Sequence, residues 1–278
     1  MIIIIVNNKG GTGKTTTTVN LSAALANSGY RVLMIDLDSQ SSASVSLGIP
    51  WNKLAPSIAD VLYKKIAVHQ AIRRSIMPGL DIITSDIELA NCDIILSEVV
   101  GRENRLKECL DAVTPYYDFV LCDCPPSISL LSVTALVAAD QFIVPVTPEY
   151  LALEGLISWM NVVKRVEKGI GTRTKLMGIL LTLVNPNLGD TKKISNLIRD
   201  HYGKSVFETE ILKDGLLTQA PSQGKSILEY APSSSGAKTY SNLANEVIQR
   251  AGAPSPAKQD RLCDNHDYQF KSGRLVKM

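Results

Sequence analysis

Lys9-Gly10-Gly11-Thr12-Gly13-Lys14-Thr15-Thr16 decides the reading of this chain. The stretch follows the apolar run Met1-Ile2-Ile3-Ile4-Ile5-Val6. It precedes a segment of helical spacing, in which Leu21, Ala24 and Leu25 share a face and Gly29 ends the pattern. A strand, a glycine-rich turn and a helix N-terminus, in that order, make a site for phosphate. The glycines let main-chain N–H groups close around phosphate oxygens, and the helix end adds partial positive charge. Gly10, Gly11, Thr12, Gly13 and Thr16 are the expected cradle. Lys14 is expected to reach the β- and γ-phosphates of ATP, and the Thr15 hydroxyl to bind Mg²⁺. The ordinary Walker A pattern wants glycine where this chain has Asn8. The form present is the deviant one, lysine-Gly-Gly-x-Gly-Lys-Thr, with Lys9 as an extra cation.

Two further segments supply carboxylates. Met34-Ile35-Asp36-Leu37-Asp38-Ser39-Gln40 ends a second apolar run, so Asp36 and Asp38 are expected at the carboxyl end of a sheet, beside the phosphate loop. Phe119-Val120-Leu121-Cys122-Asp123 runs into Cys124-Pro125-Pro126-Ser127. An apolar strand ending in aspartate is a Walker B pattern, with Asp123 bonded to a Mg²⁺-bound water. The two prolines restrict the segment that follows, so that contact with a γ-phosphate at its start moves a stiff lever.

The rest of the chain alternates short apolar runs with longer helical stretches. Strands are predicted at 2–7, 31–36, 79–84, 119–123, 141–146 and 175–184. Helices are predicted at 15–28, 103–113, 149–167, 191–202 and 235–251. The strands are continuous apolar runs, which suits a sheet covered on both faces and hence parallel. Alternating β and α elements predict an α/β fold, a doubly wound, mostly parallel sheet flanked by helices. Residues 1–250 read as one such domain. After Arg250 the sequence turns to Ala-Gly-Ala-Pro-Ser-Pro and mixed charge, and 251–278 reads as a flexible tail.

Composition sets the outer bounds. The chain has 278 residues, 45% hydrophobic and 20% charged, and no apolar run long enough to span a bilayer. Five cysteines without a C-x-x-C pair fit reduced, buried thiols better than a disulfide scaffold or a zinc site. The net charge of +2 hides an asymmetry. Residues 1–159 carry 11 Lys and Arg against 16 Asp and Glu, whereas residues 160–250 carry 13 against 8. A basic C-terminal half can meet phosphate backbones, or it can be scattered charge on solvated helix faces.

The deviant loop, the D-x-D-x-Q segment at Asp36–Gln40 and the D-C-P-P segment at Asp123–Pro126 together resemble the ParA/MinD family of positioning ATPases. The resemblance extends through Val137–Asp140, Pro145–Gly155 and Ala220–Ala237, and so covers about residues 1–250. It implies a P-loop ATPase with ATP and Mg²⁺ as cofactors, forming a homodimer when ATP is bound. In that dimer the signature lysine, Lys9, crosses to the partner's nucleotide. Asp38 helps to position the attacking water, Asp36 lies nearer the Mg²⁺ shell, and Asn185 and Pro221 lie near the adenine. The resemblance also implies non-specific DNA binding by the dimer, with Lys192, Lys193, Arg199, Lys204 and Lys213 as candidates. A partner protein is expected to stimulate slow hydrolysis, and the chain to be cytoplasmic and nucleoid-associated. Three departures stand out. Ser39 replaces a frequent proline, Ser41-Ser42 replaces a common Gly-Asn, and Leu216 stands where the family often has arginine.

Two other classes share the loop. A MinD-like membrane-cycling ATPase needs a C-terminal amphipathic helix. Leu262–Met278 offers Phe270, Leu275 and Val276 but breaks their spacing with Asp264, Asn265, Asp267 and Gly273, so membrane binding is not expected. A metabolic reductase or ligase of this fold needs a cluster or substrate pocket; Cys92 and Cys124 alone are thin support for one.

Overall fold

The computed structural model describes residues 1–149, 152–256, 268–271 and 274–277, with Ala152, 268–271 and 274–277 described in their backbone only. Seven strands form one sheet: β1 (Ile2–Ile5), β2 (Val32–Asp36), β3 (Ile72–Met77), β4 (Leu80–Ile83), β5 (Phe119–Asp123), β6 (Gln141–Val146) and β7 (Lys175–Leu181). Their order is β3-β4-β2-β5-β1-β6-β7. All neighbours pair in parallel except β3 with β4. In the first half of the chain the helices are α1 (Lys14–Asn27), α2 (Ser42–Ser46), α3 (Ile58–Leu62), α4 (Val68–Ala71), α5 (Cys92–Ile95) and α6 (Arg105–Leu110). The second half adds α7 (Leu130–Ala138), α8 (Ala152–Ile170), α9 (Gly189–Tyr202), α10 (Gly215–Gln219), α11 (Ile227–Tyr230) and α12 (Ser235–Ala251).

The isoleucine run of β1 shows why the sheet is buried on both faces. Side chains alternate along a strand, so Ile2 and Ile4 enter one core with Leu33, Ile35, Leu131 and Trp159. Ile3 and Ile5 enter the other with Leu21, Leu25, Met34, Phe119 and Tyr240. All four isoleucines are at most 8% exposed, which leaves no polar face and forces helices onto both sides. The chain leaves β1 through α1 on the second face and reaches β2, skipping over the place of β5. It leaves β5 through α7 on the first face and reaches β6 on the other side of β1. The order of winding therefore reverses at β1, and the crevice at its carboxyl end is where ligands bind in open α/β sheets.

Several short helices, one strand and one longer helix are absent from the sequence reading. Ile72–Met77 is an antiparallel edge strand, absent from the expectation because Arg73, Arg74 and Ser75 interrupt its apolar pattern. Such charges are how edge strands avoid pairing with other chains. Leu130–Ala138 is a helix whose near-continuous apolar sequence carries no polar stripe to betray its period.

Just past the expected boundary at 250/251 the chain still touches the body. Tyr30 donates to the Pro254 carbonyl at 3.0 Å, and Pro256 lies against Gly29. Beyond it, β8 (Tyr268–Lys271) and β9 (Arg274–Lys277) pair with each other as a separate antiparallel ladder. The remainder of the expected tail, 257–267 with 272, 273 and 278, lies outside the described residues.

Candidate phosphate and metal site

The turn between β1 and α1 ends in Gly13, whose φ of 80° is in the left-handed region that glycine enters without strain. Gly11 has φ 74°, and a Cβ added there or at Gly10 would meet nothing within 4 Å, so the loop presents bare backbone. The first turn of α1 carries no side-chain cap. Among the described residues, the amides of Gly13, Lys14, Thr15 and Thr16 find no backbone acceptor. These are the orphan donors that an anion satisfies at a helix N-terminus. Thr12 is pinned from the far side of the sheet, where Thr182 after β7 donates its hydroxyl to the Thr12 carbonyl at 2.8 Å. Asn20 is fixed at both ends, its amide donating to the Thr16 carbonyl at 2.8 Å and its oxygen accepting from the Ile227 amide at 2.7 Å.

The two lysines of the loop have separate places. Lys14 is buried, and its ammonium donates to the Lys9 carbonyl at 3.0 Å. Burial lowers its pKa against the attraction of Asp123 and Asp38. Among the described residues it makes no ion pair within 4.0 Å, so a buried cation stands ready for an anionic ligand. Lys9 stands at the rim, 41% exposed, with its Nζ 2.8 Å from Glu149 Oε2.

Asp36 and Asp123 face each other as register partners on β2 and β5. Both are buried. Asp123 accepts from the Thr15 hydroxyl at 2.7 Å and from the Thr18 hydroxyl at 3.1 Å. Asp36 accepts from the amide and hydroxyl of Ser44 at 2.8 and 2.7 Å, and from the Asp38 amide at 3.1 Å. Burial pushes both carboxyls above the ordinary carboxylate range; the neighbouring Asp36 charge adds to the rise at Asp123, and Asp38 adds to that at Asp36. The residues fit a divalent cation. A hydroxyl and a carboxylate sit side by side at the mouth of the loop, and the desolvated acidic pair has too little positive charge around it.

Asp36 also does something the sequence did not reveal. Its three bonds clamp α2 and the Asp38 turn to the sheet, and Ser44 extends the clamp by accepting from the Ser85 amide at 3.3 Å. Asp38 itself points its turn outward, accepting from the Gln40 amide at 3.0 Å.

The remaining predicted residues spread over several elements. Asn185 follows β7, where Val184 bridges to Leu212, and caps its own turn by accepting from the Asn187 amide at 3.1 Å. Pro221 lies in the 3-10 turn Ala220–Gln223, which ends at Gly224. That glycine abuts Gly48, the residue that closes the α2 segment. Lys192, Lys193, Lys204 and Lys213 are exposed. Arg199 differs from them. Its guanidinium turns inward to Glu210 at 2.7 Å and the Phe207 carbonyl at 3.1 Å, so its charge is already met.

Thr18, Asn20, Ser44, Glu149 and Thr182 were missed by sequence reasoning. Only Thr18 left a signal, three residues after Thr15 and so on the same helix face. The cysteines carry no chemistry here. Burial pushes the Cys124 thiol well above its ordinary value, and among the described residues neither Cys92 nor Cys124 belongs to a group of three or more His, Cys, Asp or Glu that could hold a metal.

The comparisons agree with this geometry. The family model described as an AAA domain matches residues 1–177. The sporulation initiation inhibitor protein Soj of Bacillus subtilis is 41% identical over 246 residues, 88% of this chain and 97% of Soj. The chromosome partitioning protein ParA of Caulobacter vibrioides is 38% identical over 251 residues, 90% of this chain and 94% of its own. The cobyrinic acid a,c-diamide synthase of Mycobacterium smegmatis, solved with ADP and magnesium, superposes with a TM-score of 0.78 at 29% identity, covering 93% and 98% of the two chains. With the glycine-rich phosphate loop, its two lysines and the paired aspartates in place on this fold, the chain belongs to the ParA/MinD family of P-loop ATPases.

Proposed function

We propose that the chain is a ParA-type switch, which closes on ATP as a homodimer, binds DNA without sequence preference and positions a cargo until hydrolysis releases it. The observation that carries this reading is the division of labour between the two lysines. Lys14 is buried where it can grip the phosphates of its own loop, whereas Lys9 stands at the rim, half exposed, where a second copy's nucleotide can receive it. A cation delivered from the facing protomer offsets charge developing on the γ-phosphoryl group.

In this reading Gly10 to Thr16 bind the triphosphate through main-chain N–H groups, and Asn185 and Pro221 border the base. Asp38, at the outward turn after β2, orients the attacking water. Thr15 and Asp123 hold the magnesium ion, and Asp36 supports them by its charge and by clamping the Asp38 turn. The ion supplies positive charge where the transferring phosphoryl group needs it.

The DNA surface is assigned to Lys192, Lys193, Lys204 and Lys213, with Arg199 holding the segment at Phe207–Glu210 beneath them. A partner that stimulates hydrolysis, and a cytoplasmic, nucleoid-associated location, complete the proposal. No described helix is long and apolar enough to cross a membrane. The Caulobacter relative, a chromosome partitioning protein, supports the reading for a chain 38% identical to it. The diamide synthase shares the fold at 29% identity.

Gel filtration with a slowly hydrolysed ATP analogue, followed by DNA binding over a salt series, tests the proposal. A dimer whose DNA affinity falls steeply with salt supports it, because each phosphate contact releases counterions. A chain that stays monomeric with the analogue sinks it.

A further inference from the structure

Both ends of the Lys9–Glu149 pair are fixed by backbone, not left to chance. The Asn7 amide group donates to the Pro145 carbonyl at 2.7 Å, and the Asn7 side-chain oxygen accepts from the Lys9 amide at 3.0 Å. Asn7 therefore ties the start of the phosphate loop to the end of β6, just upstream of Glu149. The Lys9 carbonyl is held in turn by the Lys14 ammonium. Glu149 is set by its own amide, which donates to the Thr147 carbonyl at 2.8 Å. With its main chain held on both sides, Lys9 presents its Nζ to Glu149 Oε2 at 2.8 Å, across 140 residues of sequence.

We propose that Glu149 is a positioning residue that parks Lys9 in cis on the nucleotide-free protomer, so that this ion pair must open before Lys9 can serve a second copy. The inference rests on the dimer reading given above. It makes Glu149 a threshold. Lys9 cannot satisfy its own chain's carboxylate and the partner's phosphates at once, and each dimer gives up two such pairs. An exposed ion pair of this kind shifts an equilibrium by roughly 1.5- to 5-fold. Two of them shift the dimer dissociation constant by about the square, roughly 2- to 25-fold.

The test compares wild type with Glu149→Gln and Glu149→Asp in two measurements, with thermal melting as the control for folding. In the first, nucleotide-free protein is acylated with a limiting amine reagent and the labelling of Lys9 is followed by peptide mass spectrometry. Lys9 is expected to label several-fold faster in Glu149→Gln than in wild type, while Lys192 labels equally in both. Equal labelling of Lys9 overturns the inference, whatever the oligomeric state. In the second, sedimentation with the slowly hydrolysed analogue gives the dimer dissociation constant. Glu149→Gln is expected to dimerise about 2- to 25-fold more tightly, with Glu149→Asp, which keeps the charge at shorter reach, in between. An unchanged or weaker dimer in Glu149→Gln overturns the threshold role, since it makes Glu149 neutral or a helper of the dimer. A wild type that stays monomeric overturns the dimer reading and the threshold with it, while faster labelling of Lys9 still marks the cis pair.

Discussion

Replacing Gly224 with alanine tests whether the base-side loop and the switch segment after β2 are one mechanical unit. Gly224 has φ 63°, and its added Cβ would sit 2.6 Å from the Gly48 Cα and 3.1 Å from the Gly48 amide nitrogen. Both neighbours are backbone, so no side chain can turn aside. Gly252 offers a control, with φ 59° and nothing within 4 Å of an added Cβ. Alanine in the left-handed region costs roughly 1–2 kcal/mol, offset by about 0.4–1 kcal/mol from the stiffer unfolded chain. Gly252→Ala should therefore cost roughly 0–1.5 kcal/mol. Gly224→Ala adds an overpacking cost of typically 1–3 kcal/mol, for a total of about 1–4.5 kcal/mol. Urea denaturation of the nucleotide-free protein measures both. The displacement also has somewhere to go, because Gly48 closes the segment that begins with α2, and α2 is what Asp36 clamps through Ser44. Turnover at saturating magnesium and ATP should fall in Gly224→Ala and stay at the wild-type level in Gly252→Ala. Equal destabilisation by the two substitutions, with turnover untouched, would refute the reasoning.

Other outcomes follow from the same site. Asp123→Asn should raise the melting temperature of nucleotide- and magnesium-free protein, and the gain should grow from pH 5 to pH 8. The sign follows from the raised carboxyl. A group that holds its proton more tightly when folded lends stability at low pH that is lost as pH rises through its folded value. A gain that is constant with pH, or larger at pH 5, contradicts this. Lys9→Ala should retain ADP binding, because Lys14 is untouched, while losing the ATP dimer in gel filtration; a normal dimer would remove Lys9 from the proposed trans role. Lys192→Glu with Lys193→Glu should weaken DNA binding and flatten its salt dependence without shifting the urea midpoint. Arg199→Ala should do the reverse, losing about 1–3 kcal/mol through the stranded Glu210 and Phe207 acceptors, and a midpoint that does not move would contradict that inward role.

The phosphate loop could be read from sequence because its chemistry is local. Glycines, lysine and threonine must be contiguous to wrap one anion, so the site's core is written in eight adjacent letters. The central strands were as plain, since Ile2–Ile5 and Phe119–Asp123 bury both faces and leave an unbroken apolar run. Asp36 was visible as a strand-end carboxylate, but its partner Ser44 was not, since nothing in Ser42-Ala43-Ser44 distinguishes one serine from the next. Glu149, Thr182 and Asn20 were hidden for another reason. Glu149 and Thr182 act on the loop from distant parts of the chain, and Asn20, close to the loop in sequence, is braced by the distant Ile227 amide, so only the fold brings these groups together. Arg199 shows the converse. The sequence reading grouped it with its basic neighbours as a candidate for DNA, and in the fold its guanidinium pairs with Glu210.

The bonds from Thr182 to Thr12 and from Asn20 to Ile227 span 170 and 207 residues. Both braces come from parts of the chain made well after the loop itself. A nascent chain that has just exposed every glycine of the loop still lacks both supports. The loop reaches its fully braced shape only once the segment through Ile227 has been made and folded, and a product ending between Thr182 and Ile227 keeps one brace of the two.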